Sequence, residues 1–434
     1  MKKTLVVAGL VAGLCVGALA GDGIPVGDAV FYPSVEAVYT HTDNLFLQDS
    51  TMPFGSESDS FWVIRPTLGI ELPFKESFVR FDFGYQYKDY STYDLKNHNT
   101  YNFDFKGLFR FSGDLKLTVD NHFIRGAQEV REFDPGYERV FSDTAFDRDE
   151  LKVGLEVPLN RANALGIYGI YNYINFSNGS SDRARPFFDY KQYGGGVAWK
   201  YALSPTSQWV TSGEYLQSKP DLTSRDIFLF TNLEKKYDQT TLMTGWEGAH
   251  KEVLTGFFKV GWSRMKFNDN AYSDFSGMVA DVGIGFQPAE AFKIDLTAGR
   301  HPYQSVYNVN NFYTSNFGQL QFHQELSRYF YWTAGYRYQQ NDYPDSVKAV
   351  SFDPADPLAI LPEFVYTQGK TRQDDINRAY AEVGYHFNKQ FSMRANYQYE
   401  DRKSNIHYYD LGSILRRPYS YSENRFLVQA QIGW

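Results

Sequence analysis

From Val79 to Lys88 the chain alternates without a break: Val79, Phe81, Phe83, Tyr85 and Tyr87 are apolar or aromatic, with Arg80, Asp82, Gly84, Gln86 and Lys88 between them. A period of two puts the first set on one face of a β-strand and the second on the other. A face carrying charges of both signs does not fit the core of a soluble sandwich, so the two faces meet different solvents. The apolar face lasts about five positions, the length a tilted strand needs to cross hydrocarbon. The same pattern returns in Tyr101, Phe103, Phe105, Phe109 and Phe111 against Asn102, Asp104, Lys106 and Arg110. It returns again in Phe330, Trp332, Ala334, Tyr336 and Tyr338 against Tyr331, Thr333, Arg337 and Gln339. A slip of one residue would push arginine into lipid at roughly 2–4 kcal/mol near the midplane, so register is strongly specified. Segments near 164–176 and 237–248 alternate less cleanly and leave their faces open. The predicted fold class is all-β, a transmembrane antiparallel up-and-down β-barrel.

Punctuation between the strands sets their number. Short turns fall at Pro73–Ser77, Ser112–Asp114, Pro158–Asn163, Ser204–Ser207, Gly248–Glu252, Pro288–Ala291, Ser327–Arg328 and Asn388–Gln390. Longer connections fall near 43–57, 91–97, 126–145, 177–187, 218–235, 267–273, 302–312, 341–373 and 402–421. Together they join about eighteen strands, an even number that brings both termini to the short-turn side, the periplasmic side in outer-membrane barrels. Tyrosine pairs such as Tyr85/Tyr87, Tyr171/Tyr173, Tyr336/Tyr338 and Tyr397/Tyr399 gather at the loop end; Phe111, Tyr201, Phe286, Phe387 and Trp434 gather near the turns. Two interfacial girdles are the expected result. The last strand presents Phe426, Val428, Ala430, Ile432 and Trp434 on one face and ends on the aromatic. Such an ending looks like the insertion signal that the bacterial barrel-assembly machinery reads.

The N-terminus adds a destination. Lys2 and Lys3 precede an apolar run from Leu5 to Val16, and Ala18-Leu19-Ala20 supplies a small-x-small site, so residues 1–20 read as a secretory signal peptide and 21–434 as one barrel domain. Cys15, the single cysteine, lies inside that segment, so the mature protein is expected to lack disulfides and cysteine metal ligands. The formal charge is -8, which argues against nucleic acid as a partner. Aromatic residues make up 18% of the chain, chiefly 34 Tyr and 36 Phe, more than a compact enzyme core needs and in keeping with girdles. The expected location is the bacterial outer membrane, with lipid and lipopolysaccharide as partners.

Candidate chemistry lies on the polar face. Arg65, Arg80, Lys88, Lys106, Arg110, Lys116, Lys152, Lys259, Arg337, Arg378, Arg394 and Arg425 are lumen-lining candidates, as are the acids Glu71, Asp82, Asp104, Asp120, Glu150, Glu156, Asp281, Asp295, Glu325, Glu382 and Glu400. Neither sign dominates, so wall-stiffening pairs and an oriented field across water are both open, with Tyr331 and Tyr380 as inward aromatics for a sugar chain. Gly194-Gly195-Gly196 marks a barrel corner or a glycine gate. Asp353, Asp356, Asp374 and Asp375 in the longest loop have no fixed ligand spacing and read as a solvated loop, with a calcium site as the lesser alternative; the basic pairs Arg183/Arg185, Arg402/Lys403 and Arg416/Arg417 leave lipopolysaccharide phosphates and ordinary surface charge equally open. No His-Glu-x-x-His, Gly-x-Ser-x-Gly or phosphate-binding glycine loop is present, so neither enzyme activity nor a cofactor is expected.

The segment Val38-Tyr39-Thr40-His41-Thr42-Asp43-Asn44-Leu45-Phe46, a first strand running into an Asp-Asn-aliphatic step, together with the aromatic last residue, resembles the putative β-barrel porin type 2 family. Members are often encoded beside exopolysaccharide or capsule machinery. The resemblance therefore implies a passive conduit for a secreted polysaccharide, with export components as partners. A diffusion porin for small solutes and an adhesin-like barrel with a plugged lumen are the alternatives.

Overall fold

The computed structural model describes residues 23–47, 56–94, 97–128, 144–176, 189–221, 236–250, 253–268, 273–305, 310–346, 371–405, 407–410, 415–418 and 420–434. The signal-peptide segment lies outside them. The alternating segments form long antiparallel strands: β2 (Ala29–Thr42), β3 (Asp59–Phe74), β4 (Ser77–Tyr90), β5 (His98–Arg110), β6 (Lys116–Gln128), β7 (Thr144–Pro158), β8 (Asn163–Phe176), β9 (Asp189–Ser204) and β10 (Ser207–Asp221). The series continues with β11 (Tyr237–His250), β12 (Leu254–Phe267), β13 (Phe275–Ala289), β14 (Phe292–Gln304), β15 (Phe312–Glu325), β16 (Phe330–Ser346), β17 (Thr371–His386), β18 (Phe391–Ser404) and β21 (Tyr421–Gly433). Each pairs with its chain neighbour, and β21 pairs with β2 from Ser34↔Gly433 to Thr42↔Arg425, closing an antiparallel barrel of 18 strands. Closure leaves no unpaired sheet edge, as a wall in hydrocarbon requires.

Two features were not read from the sequence. A three-residue strand β1 (Ile24–Val26) turns at Gly27, φ 63°, and pairs back onto the start of β2. The last long loop carries a small hairpin, β19 (His407–Asp410) with β20 (Leu415–Pro418).

The strands are longer than a bilayer needs. β5 has 13 residues and β16 has 17, against about 9–11 for a tilted crossing. The surplus rises at the long-loop end, so residues assigned from sequence to loops, such as Asp374 and Arg402, belong to the wall. On its outer face a ring of tyrosine hydroxyls marks the interface: Tyr85 donates to Asn99 at 2.7 Å, Tyr336 to Asn377 at 2.6 Å, Tyr338 to Asp375 at 2.7 Å and Tyr397 to Asn424 at 2.6 Å. Each phenol keeps its ring toward lipid and its oxygen among polar groups above it.

Buried side chains gather at this same end and largely on the inner face. Tyr237, Met265, Phe267, Phe275, Val279 and Phe312 form one cluster; Val38, Leu45, Phe61, Val63 and Tyr90 form another. Tyr237 and Phe267 face each other across β11 and β12 with ring centroids 5.1 Å apart, and Phe61 and Tyr90 do so across β3 and β4 at 4.9 Å. The long-loop mouth is thus packed, while most inner-face residues nearer the turns, unlike Val210 and Thr333, stay half-buried or exposed.

Candidate functional site: the inner wall

Parity and exposure separate the two faces. Leu242, Trp262, Val197 and Ile167 stand outward at 60%, 55%, 52% and 47% exposure, with no protein over them, as lipid-facing side chains should. The opposite parity carries the polar groups. There Arg65 donates from Nη1 to Glu36 Oε1 at 2.8 Å and from Nη2 to Gln86 Oε1 at 2.7 Å. Arg80 meets Asp82 at 2.9 Å and Glu71 at 3.6 Å, with Tyr32 under its guanidinium. Lys88 is buried between the Phe61 and Tyr90 rings, 4.3 and 5.1 Å from their centroids. Asp104 bonds His122 Nδ1, whereas Lys106 and Arg110 project from β5 exposed.

On the far side Arg378 donates to Glu400 at 2.5 Å, and Arg425 to Glu423 at 3.0 Å. Arg394 donates to Gln429 at 2.7 Å and lies 3.8 Å from Glu382, which also accepts from Tyr331 at 3.2 Å. Arg337 lies directly opposite Arg378, donates to Gln339 at 3.0 Å and covers the Phe317 ring at 4.4 Å. The sequence-derived lumen candidates have the parity opposite to the exposed apolar rows, and they are spread around the barrel from β3 to β21 rather than gathered in one place.

Sequence reasoning missed a fully buried trio at the mouth. Asp374 lies between Arg372, 2.6 Å, and Arg402, 2.5 Å, with all three side chains at 1% exposure or less. The Arg372-x-Asp374-x-Ile376 alternation was a signal that β17 starts early. This trio also bears on two of the alternatives. Asp374 is held by arginine and Asp375 accepts from Tyr338 on the outer face, so the two do not converge on calcium. Arg402 points inward and is buried, away from any lipopolysaccharide phosphate, whereas Lys403 points outward. Asp353, Asp356, Arg183 and Arg185 lie outside the described residues.

The triple glycine is likewise no corner. β9 keeps continuous register from Asp189 to Ala202. A Cβ on Gly196 would sit 2.5 Å from the Tyr168 ring, which crosses it to donate to Glu214 at 2.8 Å on β10. A Cβ on Gly194 would sit 2.1 Å from the Tyr215 carbonyl oxygen. The glycines serve close approach within a straight strand.

The charge is unevenly distributed around the barrel. From β8 to β13 the charged groups on the inner face are Lys200, Glu214, Glu247, Lys259 and Asp281, and the remainder is Gly, Ala, hydroxyl, amide and apolar, including Ile170, Ile174, Val210 and Met243. This low-charge wall explains why the segments near 164–176 and 237–248 alternate poorly. Lys116 and Lys200 tie it to the charged wall by sharing Glu156, at 2.8 and 2.5 Å.

A closed 18-stranded barrel with an apolar outer face, tyrosine girdle and charged inner face is a porin-like β-barrel of the bacterial outer membrane. The chain belongs to the putative β-barrel porin 2 family, whose sequence pattern matches residues 18–353. Solved structures of similar architecture include Pseudomonas aeruginosa OccK2 (OpdF), with a TM-score of 0.47, 11% identity and coverage of 95% of this chain and 99% of that one. P. aeruginosa OpdK with vanillate gives 0.47, 8%, 93% and 99%; the P. aeruginosa ferric enterobactin receptor mutant PfeA with enterobactin gives 0.47, 8%, 93% and 81%. No curated protein sequence matches the chain.

Proposed function

We propose that this protein is a passive pore for small hydrophilic solutes. The observation that carries the reading is the inner wall itself. It is polar along its length and lined with charges of both signs, most of them closed into wall pairs such as Arg65–Glu36 and Arg378–Glu400, yet packed with aromatic and apolar side chains at the long-loop mouth. A wet lumen with a narrowed mouth suits diffusion of small molecules more than passage of a polymer strand. The polysaccharide conduit implied by the family resemblance draws no support from this geometry. A channel role, and not catalysis, is the reading we adopt.

In this reading the short turns and both termini face the periplasm, and the outward row Phe426, Val428, Ala430, Ile432 and Trp434 serves recognition by the barrel-assembly machinery. Arg264, Lys266 and Lys403, exposed on the outer face near the long-loop ends of β12 and β18, are suited to lipopolysaccharide phosphate.

The test is reconstitution of the refolded chain. Planar bilayers should show stable steps of conductance, and liposome swelling should be fast with a monosaccharide and fall steeply through the oligosaccharides. Absence of conductance would favour a plugged barrel. Equal permeation of long and short oligosaccharides would favour the polymer conduit.

A further inference from the structure

The seam between the charged and low-charge walls contains a group of charges that have not paired with one another. Across β4, β5, β6, β7 and β8 the register runs Arg80↔Lys106↔Asp120↔Lys152↔Ile170, with Gly194 of β9 beyond. Other opposite charges on the wall that face each other in this way have closed into ion pairs, among them Lys116 with Glu156 at 2.8 Å, Arg65 with Glu36 at 2.8 Å and Arg378 with Glu400 at 2.5 Å, while Lys259 and Asp281, also face to face, are each paired to another neighbour, Glu247 and His301. Among the described residues, Lys106, Asp120 and Lys152 make no ion pair although they stand side by side. All three are exposed to the lumen, and they line an inner-face cavity of about 280 Å³ together with Ile170 and Asn172. Two further acids line the same cavity and are engaged: Asp104 holds His122, and Glu150 holds Arg148. Lys152 rests over the Tyr168 ring, 4.5 Å from its centroid, which keeps its ammonium beside the cavity.

We infer that this cavity is a binding station for a zwitterionic, amino-acid-type solute with an apolar side chain, a substrate class that rests on the pore reading and narrows it. Facing Cβ atoms on adjacent strands are about 5 Å apart. A molecule with an ammonium and a carboxylate on one carbon can therefore place the first on Asp120 and the second on Lys152. Its side chain then points along the row to Ile170, which lines the cavity. A simple carboxylate would leave Asp120 repelling it, and a simple amine would meet two lysines. Only a solute with both charges satisfies both signs at once.

Single-channel recording of the full-length protein separates this claim from the pore reading, because the current before any solute is added tests the pore alone. L-leucine should interrupt the current at concentrations about ten-fold lower than 4-methylpentanoate or 3-methylbutylamine, which keep the apolar tail and one charge each. Asp120→Asn and Lys152→Gln, each tested separately, should abolish that preference in a channel that still opens. Leucine no more effective than the singly charged analogues, or a preference that survives both substitutions, overturns the site. If no current is seen, calorimetric titration of the detergent-solubilised barrel with leucine reads the same preference without a pore.

Discussion

Tyr331 lies across Gly384, its direct partner on the next strand: a Cβ on that glycine would stand 2.2 Å from the ring. The same joint recurs at four other glycines of the inner wall, with Tyr380 over Gly335, Tyr168 over Gly196, Phe317 over Gly299 and Phe257 over Gly283. Glycine has poor strand propensity, and a ring laid over it covers exposed backbone while staying out of the channel. Tyr331 and Tyr380, read from sequence as lumen aromatics, are thus wall fittings whose hydroxyls reach Glu382 and Gln321.

Filling such a joint should therefore be costly. Gly384→Ala is expected to destabilise the barrel by about 1–3 kcal/mol through overpacking, more than the roughly 0.5–1 kcal/mol that removing a strand glycine returns. Gly318→Ala, where a Cβ meets nothing within 4 Å, should be neutral or mildly stabilising. Urea unfolding in lipid or detergent measures both, and equal midpoints for the two variants would refute the role of the joint.

Face assignment in the weakly alternating β11 can be tested with one pair of substitutions. Leu242 is 60% exposed on the outer face, and Thr241 beside it faces inward to bond Ser263 at 2.9 Å. Leu242→Arg should cost about 2–4 kcal/mol of folding free energy in a bilayer, and Thr241→Arg clearly less. Folding yield into vesicles, read by heat-modifiable gel mobility, distinguishes them; a reversed order would mean the register is wrong by one.

At the mouth, Asp374→Asn removes the carboxylate shared by Arg372 and Arg402. Deleting one partner of a fully buried ion cluster costs about 3–5 kcal/mol, so the melting temperature should drop while the long-loop mouth loosens. The expected electrical signature is a larger or noisier conductance. An unchanged melt and unchanged current would show that the trio neither holds nor narrows the mouth.

The end of the chain gives a cellular prediction. Trp434 donates its backbone N–H to Pro33 O at 3.1 Å on β2, so the terminal residue also completes closure of the barrel. Removing Trp434, or replacing Phe426 and Trp434 together by serine, should lower the amount of assembled protein in the outer membrane. Fractionation with a heat-modifiability assay measures it, and wild-type levels would argue that neither closure nor recognition depends on the aromatic end.

The strands, their number and their two faces could be read directly from the alternation, because a wall between lipid and water forces the two parities apart. Where that forcing weakens, so did the reading. Ile170 and Ile174 on β8 and Met243 on β11 put apolar groups on the wet side, and the pattern blurred there. Arg372, Asp374 and Arg402 were assigned to loops because strand length was gauged by the bilayer, while the wall continues beyond it.

The alternation from Val79 to Lys88 and its repeats determined by themselves that this is a membrane barrel, since period and chemical contrast are local properties of the chain. Which inner charges meet was decided only by the closed tertiary structure. Shear and closure bring Glu156 to Lys116 and Lys200, seat Tyr331 on Gly384, and leave Lys106, Asp120 and Lys152 adjacent without pairing. Those are relations between distant parts of the sequence, fixed by register around the barrel and invisible along any one strand.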